Sequence, residues 1–425
     1  MRIFALPLLK RMNFRHIALL TLVVVVAPFT GSTQIVNQSD RALQVQLNTI
    51  TTAVPFLMIA PDSRSGAMGD AGVAISPDAN SVHWNSAKLG FLEQDIEASL
   101  SYSPWLRALV NDMSLAYLSG YKKISKTQGI GGSLRYFTLG EITFTDDNGS
   151  IIRPFKPAEF ALDIGFGQRL SERFSGGIAA RFINSNLTGG VNVAGADSRP
   201  GRSFAVDLSA FYTNDDVKVG GKDAIFNWGV NISNIGAKMR YTNTDRRDFI
   251  PTNLKLGAAL TLELDDYNDL TITTDFNKLL VPTPPIYNAE GDSILSGRDP
   301  DVGTATGIVQ SFYDAPGQFD PETNSIVSGS ILGEELREVN ISAGLEYWYD
   351  KQFAFRSGYF FEHLTKGNRQ FITIGAALRY QVMTIDISYL ISTTQNNPLA
   401  NTLRFSLRFG LGGKASGGEN ATPSE

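Results

Sequence analysis

The residues best suited to covalent catalysis are few. Gly291-Asp292-Ser293-Ile294 superficially looks like an esterase nucleophile block, and His363 is the histidine such a serine would need as its base. That chemistry demands a nucleophile on a sharp strand-to-helix turn, within hydrogen-bond reach of the base. Here the block lies in a long stretch rich in Pro and Asp, so it reads as a chance match. His16, His83 and His363 are the 3 histidines, and there is no cysteine, which removes thiol catalysis, Cys-ligated metals and disulfides. Asp146-Asp147-Asn148-Gly149 offers carboxylates to calcium but reads as a polar turn. No P-loop, zinc motif or dinucleotide fingerprint is present. A net charge of −5 without a Lys/Arg cluster gives no sign of a nucleic-acid partner. No catalytic residue, metal site or cofactor is assigned.

The charges that remain call for a scaffold. Arg135, Asp163, Arg181, Asp207, Lys255, Glu263, Glu346, Arg379, Asp386, Arg404 and Arg408 all fall in runs of period two. Leu254, Leu256, Ala258, Leu260, Leu262 and Leu264 alternate with Lys255, Gly257, Ala259, Thr261 and Glu263; Leu403, Phe405, Leu407 and Phe409 alternate with Arg404, Ser406 and Arg408. Such runs are strands with one apolar and one polar face. Their length of about ten residues suits a tilted bilayer crossing better than a soluble strand. Aromatics such as Tyr102, Tyr136, Tyr212, Tyr347, Tyr380 and Tyr389 fall near the run ends, where an interfacial girdle would sit.

Fourteen runs are predicted, from 95–103 to 401–410. Their connections alternate between long and short, with 214–222 the one short-side connection that breaks the rule. Tight periplasmic turns and long outer loops have this asymmetry. The expected fold is therefore all-β, a transmembrane antiparallel barrel in the outer membrane, with its apolar face on lipid and a hydrated, salt-bridged lumen. Leu256, Leu260 and Leu262 should face lipid, so an arginine should cost much more at Leu260 than at the inward Ala259. Glycine is abundant at 40 residues, and the only long apolar run is N-terminal. There Arg2, Lys10, Arg11 and Arg15 precede the apolar Ile17–Phe29 and small residues at 30–33, an export signal. The expected organisation is a signal at 1–33, a periplasmic lead-in and lumenal hatch at 34–94, the barrel at 95–410, and a flexible periplasmic tail at 411–425. Both termini are expected in the periplasm.

The segment before the first strand is unlike the rest. Ala60-Pro61-Asp62-Ser63-Arg64-Ser65-Gly66-Ala67-Met68-Gly69-Asp70-Ala71-Gly72-Val73-Ala74 is followed by Pro77-Asp78-Ala79-Asn80-Ser81-Val82-His83-Trp84-Asn85. Its small residues allow close backbone packing in a confined space, and Arg64 and Asp70 would need partners there. This block resembles the PorV family, outer-membrane shuttle subunits of the Bacteroidetes type IX secretion system. These belong to the FadL-like superfamily of fourteen-stranded barrels with an N-terminal hatch. The family commonly has Pro where this chain has Ser86. The resemblance makes Arg64, Gly66, Met68, Gly69, Asp70, Gly72, Asp78, Trp84 and Asn85 the hatch motif. It implies a non-enzymatic protein that takes cargo with a C-terminal targeting domain from the translocon barrel Sov and delivers it to the sortase PorU. The alternative is a FadL-like transporter of hydrophobic small molecules.

A shuttle would meet cargo on the outer side, where 277–336 is the longest connection. Ile286, Tyr287, Phe312, Tyr313 and Phe319 are its candidate partner-binding residues. Exposed apolar side chains there would pack on the barrel or bind a partner.

Overall fold

The computed structural model describes residues 47–412, except 107–109, 111, 146–147, 149, 191, 194–195, 244–246, 289–290, 321–322, 324 and 395–398. The expected signal at 1–33, most of the lead-in, the tail from 413, and Asp146, Asp147 and Gly149 lie outside the described residues.

Fourteen antiparallel strands form one closed barrel. In chain order they are β1 (Ile96–Pro104), β2 (Met113–Lys123), β3 (Gln128–Leu139), β4 (Ala158–Arg169), β5 (Phe174–Asn186), β6 (Gly201–Val219) and β7 (Lys222–Gly236). The second half comprises β8 (Asn253–Asp265), β9 (Asn268–Leu279), β10 (Val339–Tyr349), β11 (Phe353–Phe361), β12 (Gln370–Tyr380), β13 (Met383–Ser392) and β14 (Thr402–Leu411). Each strand pairs with its sequence neighbour, and β1 pairs with β14 from Ile96↔Leu411 to Tyr102↔Phe405, which leaves no free edge.

Burial alternates along the strands, with the sense of a soluble protein reversed. On β1, Leu100 and Tyr102 are exposed while Ser99, Ser101 and Ser103 are buried. Leu134, Leu162, Leu208, Ile272, Leu345, Ile374 and Phe405 continue the exposed apolar face around the wall. Only a surrounding hydrocarbon phase makes that arrangement favourable.

All connections at one end of the barrel are tight, including the one expected at 214–222. There β6 continues to Val219 across a register shift between Asn214 and Val217, and Gly220-Gly221 alone makes the turn. Both glycines have positive φ, 59° and 81°, as a two-residue hairpin turn with the strands' own twist requires. At the other end the connections are long, the longest running between β9 and β10.

The lumen is filled by the chain that precedes β1. At the long-connection end, Asn48 donates its backbone N–H to Thr365 O (3.0 Å), and Ala53 donates to Phe249 O (2.8 Å). Phe56 stacks on Phe137 with ring centroids 6.2 Å apart. The chain then makes short helices at Ser63–Gly66 and Ser81–Trp84 and a 3-10 turn at Ser86–Phe91. It reaches the tight-turn end at Asp95, whose carbonyl accepts from Lys123 N (2.7 Å). Two expectations thus conflict. Residues 47–50 cannot be part of a periplasmic lead-in while the long connections face outward, because Asn48 sits among those connections. At the level of the plug the inward face is packed: Ala259 is 3% exposed, in a cluster with Met68, Ala74 and Ile75.

Candidate functional site: the charged plug and the long loop

The plug is built on hydrogen bonds to its own turns and to the wall. Asp62 caps the Ser63–Gly66 helix, accepting from Ser65 N (2.9 Å) and from Trp84 Nε1 (2.7 Å). Arg64 then projects where five hydrogen bonds saturate its guanidinium: Nε and Nη2 to Glu346 on β10 (3.1 and 2.8 Å), Nη1 to Asp78 (3.1 Å), and two to Ser76. Burial opposes the charge of Arg64, but Glu346 and Asp78 outweigh it and hold the guanidinium above its usual range.

Glu346 is shared. Arg356 Nε donates to it at 2.6 Å and Arg356 Nη1 to Asp386 at 2.7 Å; Arg408 Nε reaches Asp386 at 2.9 Å and Arg408 Nη1 lies 3.5 Å from Glu97. An alternating row of charges therefore runs from the plug through β10, β11, β13 and β14 to β1. Each member is buried, and such charges are tolerated only because each is paired. Asp70 takes a second wall contact, from Arg404 Nη1 at 3.0 Å.

The other motif residues hold the plug's backbone. Gly72 and Val73 donate to Asp275 Oδ2 on β9 (2.8 and 3.0 Å), and Gly69 N donates to Thr373 Oγ1 (2.9 Å). Asn85 Nδ2 donates to Val73 O and to Ala210 O on β6, while its Oδ1 accepts from Ala87 N. Met68 is fully buried, and a Cβ at Gly66 would lie 2.4 Å from Arg404 Nη1. Gly69 has φ +67° and lies so close to β11 that a Cβ would come 2.5 Å from Tyr359 O.

The wall answers with glycines of its own. A Cβ at Gly358 would be 2.1 Å from Gly69 N, at Gly344 2.5 Å from Met68 Cβ, and at Gly177 2.2 Å from Ala87 N. These glycines escaped the sequence reading, although their signal was there: Gly in the interior of a strand marks a close backbone approach. Lys88 escaped it too. It is 0% exposed, donates to Gly72 O (2.9 Å), and burial lowers its ammonium to about 8 despite Asp78 nearby. His83 Nδ1 lies 2.6 Å from Arg135 Nη2; burial and that guanidinium keep the imidazole neutral, so it accepts the bond.

Between plug and long-connection mouth lies a small open cleft of about 80 Å³. Ile59, Phe360, Phe371 and Leu390 line its apolar side, while Lys255 and Arg404 are among its polar residues. Lys255 Nζ sits 4.4 Å over the Trp84 ring, and among the described residues no carboxylate lies within ion-pair reach of it.

The long loop between β9 and β10 is tied down by a second polar cluster. Lys278 pairs with Glu335 (3.2 Å) and Glu338 (2.6 Å), and Lys366 with Glu334 (2.8 Å) and Glu338 (3.1 Å). Asn48 Nδ2 donates to Glu334 (3.0 Å) and Pro284 O (3.2 Å). Asp314 accepts from Thr283 N (3.1 Å), and burial raises its carboxyl to about 6. The helix Ser330–Arg337 is consequently inverted: Glu334 and Glu335 face in, while Leu332 (68% exposed) and Leu336 (66%) face out. Of the candidate partner residues, Tyr287, Phe312 and Tyr313 are exposed, whereas Ile286 and Phe319 are half-buried. Ser293 lies on an exposed hairpin turn held by Asn288, and His363 Nδ1 is engaged with Thr365, so no nucleophile–base bond links them.

The sequence profile described as "Type IX secretion system protein PorV" matches residues 42–286, more than half of the chain. The chain belongs to the PorV family. It is thus an outer-membrane barrel component of type IX secretion. No curated protein matches it significantly. Among solved structures it is similar to the toluene transporter TbuX of Ralstonia pickettii (TM-score 0.46, 9% identity, 83% of this chain and 98% of that one). It is also similar to the toluene transporter TodX of Pseudomonas putida (0.45, 10%, 85% and 98%) and to a FadL homologue of Pseudomonas aeruginosa (0.41, 12%, 86% and 99%). Membership of the PorV family rests on the profile match, and the fourteen-strand closure on the strand pairing itself.

Proposed function

We propose that this PorV-family protein is a non-enzymatic carrier. It binds secreted proteins bearing a C-terminal targeting domain as they leave the translocon barrel Sov and passes them to the sortase PorU. The observation that supports this reading is the inverted long loop. Glu334, Glu335 and Glu338 are spent on anchoring, while Leu332, Leu336, Phe312 and Tyr313 are left in the open. An apolar surface held on a rigid base is what a partner protein buries. The test is co-purification from native membranes of a variant in which residues 284–332 are replaced by a short Gly/Ser turn. The carrier reading expects a barrel that resists heat but retains neither cargo nor translocon. A shortened barrel that keeps every partner and merely leaks would make the loop a lid.

The cleft favours a second reading, an outer-membrane transporter of hydrophobic small molecules. An apolar wall with an unpaired lysine suits an anionic amphiphile. Lys255→Met would weaken uptake of such a compound under that reading and leave cargo retention unchanged under the first.

A further inference from the structure

We infer that the chain enters the barrel at its cell-surface mouth, so that Leu47 is presented outside beside the long loop. The inference rests on the reading that the long connections face outward, as the family and the loop asymmetry suggest. Given that orientation, the path of the plug leaves one possibility. Asn48 is bonded to three partners, Thr365, Pro284 and Glu334, and all belong to the long connections β11–β12 and β9–β10. Ala53 is bonded to Phe249, in the long connection β7–β8. Some forty residues on, the chain reaches Asp95, which is bonded to Lys123 beside a tight turn. The segment thus traverses the barrel from one mouth to the other and does not dip in and return. Leu47 is 71% exposed, and Thr51 is exposed as well.

This topology has a mechanical consequence. The downstream end of the plug continues directly into β1 at the tight-turn end, while its upstream end is latched among the outer loops by Asn48. A pull from either mouth would have to break the plug's ion pairs to the wall as well, Arg64 with Glu346 and Asp70 with Arg404.

The absence of cysteine makes the test clean. Leu47→Cys and, separately, Thr51→Cys are compared with Tyr287→Cys in the long loop and Lys126→Cys in a tight turn. A membrane-impermeant maleimide is applied to intact cells, to cells with permeabilised outer membranes, and to denatured protein. Labelling of Leu47→Cys and Tyr287→Cys in intact cells, with Lys126→Cys labelled only after permeabilisation, is the expected result. If Leu47→Cys and Thr51→Cys follow Lys126→Cys while Tyr287→Cys labels in intact cells, the inference is overturned and the barrel orientation stands. If Lys126→Cys alone labels in intact cells, the orientation itself is reversed and the inference falls with it. Labelling of both positions only after denaturation would show the upstream end buried, which also overturns it.

Discussion

The plug and the long loop solve the same problem with opposite outcomes. Each buries several charges against the barrel, and each does so through long-range ion pairs: Arg64 with Glu346 in the plug, Lys278 and Lys366 with Glu334, Glu335 and Glu338 in the loop. The plug is enclosed by the wall except where the cleft opens toward the mouth, and glycines meet glycines where backbones touch. The loop is enclosed on one side only, and its other face keeps Leu332 and Leu336 in the open. A segment packed against the wall on most faces chiefly seals and braces, whereas one anchored by charge with a free apolar face has more left to bind a protein partner with. Recognition in this molecule is therefore expected from the loop, and barrel integrity from the plug.

The sharpest way to break the contrast is Arg64→Ala, which leaves Glu346 and Asp78 buried with less compensation. A loss of about 3–5 kcal/mol is expected, read as a lower heat-modification temperature on gels, with increased pore conductance. Wild-type behaviour in both would remove the plug's bracing role.

Arginine substitution at neighbouring positions of β8 comes next. Arginine at Leu260 is expected to cost about 2–4 kcal/mol in the bilayer. Sequence alternation alone makes Ala259→Arg mild, but Ala259 packs on Met68, Ala74 and Ile75. The structure therefore expects both variants to be strongly destabilised, Ala259→Arg by overpacking and an unpaired charge. A mild Ala259→Arg in urea unfolding would mean that the plug yields there.

Asp314 tests the loop's anchor. Its carboxyl is raised from 3.8 to about 6, so between those pH values the folded loop holds a proton that the unfolded chain has released. Stability of the loop accordingly falls as pH rises from about 4 to about 6 and is level above, a loss of about 2 kcal/mol after allowing for screening. Asp314→Asn keeps an acceptor for Thr283 N. It should protect the loop from protease at pH 7 and match the wild type at pH 4; equal cleavage at both pH values would contradict the anchor.

The smallest effect on stability is expected from Leu332→Glu with Leu336→Glu. Both side chains are exposed, so the barrel should change by less than about 0.5 kcal/mol, while retention of partners in pull-downs from native membranes should drop. Undiminished retention would move recognition elsewhere.

Period-two alternation in runs of about ten residues was enough to count fourteen strands and assign their faces, because strand geometry is local and lipid rewards only one face. Connection lengths revealed two unlike ends, and the Ala60–Asn85 block pointed to the family. The Gly220-Gly221 turn was equally local but was masked by the polar residues around it. Tertiary structure alone decided the rest. Nothing in the spacing of Arg64 names Glu346, which lies 282 positions away, because closure of the barrel and not the chain's period brings them together. The inward glycines became intelligible only once the plug lay against them. Likewise, the composition of residues 47–60 does not say from which mouth they enter. That depends on Asn48 finding Glu334 and Thr365, partners that exist as a site only after two distant loops have met.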